Sequence, residues 1–402
     1  MALSFAPQAP ERAVAERLVI FVPHASDLLT DHHPHGDGLV AFEVASRLAR
    51  AGHEVHVAAP RIDVAGELPA GLHLYELRVP GETGGLGRFR YMLEVRRLFE
   101  RLRRTRAIDV VHQLNPVFTG ISLALTGARV PIVLGSFVGD WPQNSERRAQ
   151  AQGAFTPFAR GVKRGIAALQ QRQADALLVT TPAARSRIVD AKREEKKIVT
   201  IPHGIDPERY PVAPARTDGP PSILFLGGIE QRKGIFTLLD AFRRVHAEFP
   251  DCRLVVGGTG WQWGEMFDVV KAMPERPQIE LLGRVTRADV PGLLSACTVF
   301  CMPSFGEPFG MSLLEAMSTG KPVVVTDAGG AGHLVDERGG RKVAPGDAAG
   351  LARALAEILA SPELQARMGA HNRAMIEDVY SWDRVIARLQ DVYRALVRKA
   401  RV

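Results

Sequence analysis

Apolar residues in this chain recur in short unbroken runs, separated by stretches in which they fall three or four positions apart. Arg17–Val22 (RLVIFV), His53–Ala58, Ile108–His112 (IDVVH), Pro131–Phe137 and Ala174–Thr180 (ADALLVT) read as strands buried on both faces, as in parallel sheets. Between the first two, Leu39–Arg50 has helical spacing and Gly52 stops it. Lys197–Asp206 (KIVTIPHGID) is a further strand and turn, and the proline- and glycine-rich Pro211–Pro221 marks a domain boundary. The alternation then restarts: strands at Ser222–Gly228, Arg253–Gly258, Ile279–Val285, Thr298–Met302 and Pro322–Thr326, with a long helix at Ile235–Phe249. Strand and helix alternating twice over predicts two doubly wound α/β domains. The expected division is a leader at 1–16, a first domain at 17–212, a second at 213–378 and a final helix within 379–402.

The most informative unit is Met302–Gly330, a strand, glycine loop, helix and strand in succession. Its loop carries Glu307, and Glu315 follows after seven residues, about a turn and a half into the helix. The N–H groups of Phe309, Gly310 and Met311 open that helix, and a helix start attracts anions through unpartnered donors and its dipole. A carboxylate only accepts hydrogen bonds, so hydroxyls are its natural partners. Hydroxyls flanking a diphosphate describe a nucleotide-sugar. Lys233 stands near the end of the IEQRKG loop, just before the long helix. No Ser or Thr follows Lys233, so the loop is not a Walker A motif.

The Glu307–Glu315 stretch resembles the E-x7-E signature of retaining glycosyltransferases of family 4, and the resemblance extends over about Arg17–Val397. It implies the GT-B fold: two Rossmann-like domains facing a central cleft, with a C-terminal helix crossing back to the first. It further implies that Glu307 binds donor-sugar hydroxyls, that Glu315 binds the nucleotide ribose and that Lys233 clamps the diphosphate. The family's clamp arginine is replaced by Gly228, so Arg232 is the candidate to supply that charge. Gly258 and Gly260 match a glycine turn against the nucleotide, and Val285 the segment whose backbone reads the base. His112 matches a cleft-floor histidine that hydrogen-bonds the donor sugar. Gly36, Asp37 and Gly38 match a glycine loop facing the acceptor, and Asp140 stands by position on the acceptor side. His333 replaces a glutamate usual in the family.

No cofactor is expected beyond the nucleotide-diphosphate sugar as co-substrate. No D-x-D triplet occurs, and His32, His33 and His35 lack the spacing of a metalloprotease helix, so no metal is expected. The chain has 402 residues, 46% of them hydrophobic, enough for two cores. It shows no run of 18 uncharged apolar residues and no signal-peptide pattern, and Cys252, Cys297 and Cys301 read as buried free thiols; a cytoplasmic location follows as the expectation. The net charge of +7 is concentrated at Arg88–Arg106, where eight arginines face Glu94 and Glu100. An apolar stripe of Phe89, Met92, Val95, Phe99 and Leu102 would pack this helix on the first domain, and its basic face suits either solvent or an anionic membrane at the inner face. Nucleic acid is excluded for want of any binding motif. Beside transfer to a glycan, lipid or small-molecule acceptor, two alternatives stand: a nucleotide-sugar epimerase or hydrolase of the same fold, and a non-catalytic protein that binds nucleotide-sugars or a membrane surface.

Overall fold

The computed structural model describes residues 17–32, 36–79, 85–114, 120–139, 157–212 and 219–401. In the first domain seven parallel strands form one sheet: β1 (Val19–Pro23), β2 (Glu54–Ala59), β3 (Leu72–Glu76), β4 (Val110–Gln113), β5 (Ile132–Phe137), β6 (Ala176–Val179) and β7 (Ile198–Thr200), in the order β3-β2-β1-β4-β5-β6-β7. The second sheet is parallel too: β8 (Ser222–Leu226), β9 (Arg253–Gly257), β10 (Ile279–Gly283), β11 (Val299–Met302), β12 (Val323–Thr326) and β13 (Gly340–Val343), in the order β10-β9-β8-β11-β12-β13. The continuous apolar runs become these central strands, buried on both faces. Leu72–Glu76 escaped the sequence pattern because it is an edge strand with His73 exposed.

In each sheet the strand order reverses at a central strand, and ligands of doubly wound sheets bind outside the carboxyl ends of strands there. In the second domain the reversal lies at β8 and β11, which are followed by the Lys233 loop and the Glu307 loop respectively. Helices α1 (Gly36–Arg50), α2 (Gly85–Arg103) and α3 (Pro157–Gln173) belong to the first domain, and α4 (Ile235–Glu248) and α5 (Met311–Ser318) to the second. The last helix, α6 (Trp382–Arg401), returns to the first: Trp382, Val385, Ile386, Leu389, Tyr393 and Val397 join the core formed by β1, β2 and α1.

One packing expectation is corrected. Tyr91, Val95, Leu98, Phe99 and Leu102 are the buried stripe of α2, whereas Phe89 is 56% exposed, because it lies two residues and about 200° around the helix from Tyr91. The three cysteines are free and buried. No helix among the described residues is long and apolar enough to cross a membrane.

Candidate active site

A cleft of about 390 Å³ opens between the domains. Gly36, Asp37 and Val40, at the start of α1, line one side with Val138 from the end of β5. Gly227 and Lys233 after β8, and Ser304, Glu307, Phe309, Gly310 and Met311 around the start of α5, line the other. Seven of the residues singled out in the sequence therefore meet in one place: Gly36, Asp37, Lys233, Glu307, Phe309, Gly310 and Met311.

The Glu307 loop is held by its backbone. The Glu307 carbonyl accepts N–H bonds from Gly330 (2.7 Å) and Ala331 (3.2 Å), and a Cβ at Gly330 would lie 1.9 Å from the Pro308 carbonyl. Only glycine permits that approach. Gly310, at φ 96°, turns the chain into α5. Gly234 does the same for the opposite loop: it sits at φ 75°, and a Cβ there would meet the Pro303 carbonyl at 1.9 Å. That contact seats Lys233 against the end of β11. The Lys233 ammonium donates to Glu307 Oε2 at 2.6 Å, with Ser304 Oγ 3.4 Å from the same oxygen. Both charged side chains are largely buried yet face the cleft. A cation, a helix start and a carboxylate thus converge, a set that can hold an anion and a neighbouring hydroxyl.

Other expected residues stand elsewhere. His112 faces the first-domain core instead of the cleft: its Nδ1 accepts from the Tyr393 hydroxyl at 2.5 Å and its Nε2 donates to the Gly135 carbonyl at 2.7 Å. Burial pushes its pKa down to about 4, partly offset by the Gly135 bond. Both nitrogens are committed, so His112 anchors α6 and the expectation of a sugar contact is corrected. Arg232 pairs with Glu230, whose carboxylate also lies 3.5 Å from where a Cβ of Gly228 would stand. It does not line the cleft. Glu315 is half-buried behind the cleft wall and accepts the Tyr210 hydroxyl at 3.0 Å. Burial raises its pKa, against the Tyr210 bond and the charges of Arg287 and Arg209.

Gly258 and Gly260 serve backbone packing: Cβ atoms there would meet the carbonyls of Gly227 at 1.8 Å and Ile229 at 2.3 Å. Val285 packs on Gly257, and Gly38 is buried in α1. Asp140, His33 and His35 lie outside the described residues. Among the described residues one cluster, Glu54, His56 and His73, brings metal-ligand types together. Its glutamate is already paired with Arg17 and Arg106, the two imidazoles stack at 4.8 Å, and none of the three lines the cleft. His203 is a cleft residue that sequence reasoning missed; it stood in the H-G-I-D turn, which read only as a connector.

Known proteins resemble the chain in the same two halves. The family model described as Glycosyltransferase Family 4 matches residues 35–209, and that described as Glycosyl transferases group 1 matches residues 207–375. A phosphatidyl-myo-inositol mannosyltransferase of Mycolicibacterium smegmatis is 29% identical over 389 residues, 94% of each chain. A glycogen synthase of Mycobacterium tuberculosis is 28% identical over 281 residues, 68% of each chain. Among solved structures, Anabaena HepE in complex with UDP superposes with a TM-score of 0.70 at 19% identity, covering 94% of this chain and 100% of that one. Sucrose-phosphate synthase from Thermosynechococcus elongatus gives 0.69 at 22%, covering 95% and 100%. These structural likenesses are of fold: two α/β domains about a cleft.

Proposed function

Matched over residues 35–375 by the two family models together, the chain belongs to the family 4 glycosyltransferases of GT-B fold, and we propose that it retains anomeric configuration while moving a hexose from a nucleotide-diphosphate sugar to an acceptor hydroxyl. The observation that carries the site assignment is the 2.6 Å pair of Lys233 and Glu307 at the start of α5, facing α1 across the cleft. On donor binding, the diphosphate competes for the Lys233 ammonium and a sugar hydroxyl takes up the Glu307 carboxylate. As the bond from the anomeric carbon to the diphosphate breaks, the acceptor oxygen bonds that carbon and its proton leaves with the diphosphate. Lys233 and the helix N–H groups carry the charge that develops on the leaving group. Glu315, through the ribose, and Arg232, once released from Glu230, complete the donor site in this reading.

No metal takes part in this scheme, so dialysis against EDTA leaves the transfer rate unchanged. The test of the whole is a thermal-shift panel of UDP-, GDP- and ADP-sugars on wild type and Glu307→Gln. A donor at 100 times its Kd adds about 2.7 kcal/mol of stability. Silence across the panel refutes the reading, and product formation without any acceptor favours the epimerase or hydrolase alternative.

The acceptor class is a lipid. The curated mannosyltransferase relative is named for a phosphatidylinositol acceptor, and the first domain offers a matching face. Leu86, Phe89 and Leu93 on α2 and Val162, Ile166 and Leu169 on α3 are exposed at helical spacing. Partial desolvation, then the charges of Arg88 on α2 and of Arg187, lower the Lys163 pKa. With Arg90, Arg101, Arg104 and Arg164 exposed around them, this face suits an anionic bilayer. Co-sedimentation with anionic vesicles at low salt, lost at high salt and in Phe89→Ser/Leu93→Ser, is the expected result; no pelleting at low salt refutes it.

A further inference from the structure

Among the described cleft residues, His203 is a nearly buried polar side chain to which neither the motifs nor the scheme above gives a task. His203 follows β7 where the chain crosses to the second domain, and that crossing is firmly held. A Cβ at Gly204 would lie 2.4 Å from the Trp382 ring. The Ile205 N–H donates to the Tyr380 carbonyl at 2.9 Å, and the Trp382 N–H to the Ile205 carbonyl at 3.0 Å. Arg47 grips both Asp206 oxygens at 2.7 and 2.8 Å. The imidazole on this support stands edge-on to Phe309, centroids 4.7 Å apart, two residues beyond Glu307. It is only 7% exposed, yet its nitrogens make no hydrogen bond among the described residues and are not sealed from the cleft. His112 shows the contrast, with both nitrogens engaged. A nearly buried ring whose nitrogens open on the cleft is placed to exchange water there for a ligand's hydroxyl.

We propose that His203 hydrogen-bonds a hydroxyl of the donor's sugar ring, opposite the hydroxyl taken by Glu307. This rests on the transfer reading above and adds a sugar contact to it. Burial pushes the His203 pKa down to about 4, so at neutral pH one ring nitrogen donates and the other accepts. A hydroxyl likewise does both, and a neutral ring does not compete with Lys233 for the diphosphate. The packing on Phe309, which belongs to the Glu307 loop, favours the donor's sugar over the acceptor's.

Calorimetric titration of UDP-glucose, UDP, GDP-mannose and GDP into wild type, His203→Leu and His203→Gln tests this. The Leu side chain keeps apolar bulk without either nitrogen, and Gln restores an amide. Expected is a loss of about threefold to tenfold in affinity for the sugar nucleotide with His203→Leu, with the bare nucleotide within twofold and partial recovery in His203→Gln. If His203→Leu does not fold, His203→Asn is read in the same way. Equal loss for sugar nucleotide and bare nucleotide, or no loss for either, overturns the proposal while leaving the transfer reading intact. A wild type that binds none of the UDP-, GDP- and ADP-sugars overturns both.

Discussion

Glu307→Gln isolates the charge of one carboxylate at nearly constant shape. The loop should survive it, because the Glu307 backbone is fixed by the Gly330 and Ala331 N–H groups and not by its side chain. Two quantities change. A sugar hydroxyl loses a charged acceptor for a neutral one, which costs about 1.5–3 kcal/mol and lowers kcat/KM roughly tenfold to a hundredfold. In the unliganded protein Lys233 loses its Glu307 partner. At 2.6 Å an effective dielectric near 20 gives about 6 kcal/mol of gross attraction, most of which offsets desolvation, leaving a coupling of about 1–3 kcal/mol. The assay is a double-mutant cycle of Glu307→Gln and Lys233→Met, followed by urea unfolding and by transfer kinetics with the donor found in the panel. The single variants should lose more stability together than the double variant does, since each takes one partner from a largely buried charge that the double removes. Wild-type kcat/KM in Glu307→Gln, or strict additivity in stability, would refute the reasoning.

Four further outcomes follow from particular contacts. Tyr393→Phe removes the hydroxyl donated to buried His112 and should cost about 1–3 kcal/mol in urea unfolding, with donor affinity unchanged; a selective loss of donor affinity would return His112 to the site. The folded pKa values of His112 and His203, about 4, lie below the ordinary 6.5, so stability is full above pH 6.5 and falls as pH drops towards 4, by at most about 3 kcal/mol for each, and unfolding midpoints at pH 7 and 4.5 measure it. Glu315 has the opposite sign: with its pKa raised, ionisation costs stability at neutral pH and the cost disappears as pH falls towards 4.5, so Glu315→Gln should melt higher than wild type at pH 7, lose that advantage in acid, and bind donor more weakly. Gly234→Ala forces a Cβ against the Pro303 carbonyl at φ 75° and should cost about 2–4 kcal/mol while displacing Lys233, seen as a fall in kcat beyond any fall in melting temperature.

The sequence by itself determined the layers of the fold and the centre of the site. Continuous apolar runs specify strands buried on both faces, and the strand, loop, helix order after Thr298 places Glu307 and the α5 start at a strand's carboxyl end whatever the rest of the chain does. Lys233 is legible for the same reason: each contribution is local, made by a loop that ends one strand and begins one helix. What only the tertiary structure decided is where side chains of distant segments point and what they meet. His112 looks like a cleft histidine in sequence and His203 like part of a connector; the hydroxyl of Tyr393, 281 positions away, claims the first, and the second faces the cleft. Glu315 keeps its place on α5, but Tyr210 meets it from the interdomain crossing. Gly258 and Gly260 meet a demand of chain packing as well, because neighbouring carbonyls come within 2.3 Å of where a Cβ would be. Hydrophobic periodicity encodes which face of an element is buried, whereas a polar side chain's role depends on its partners, and those are brought together only when the domains fold against each other.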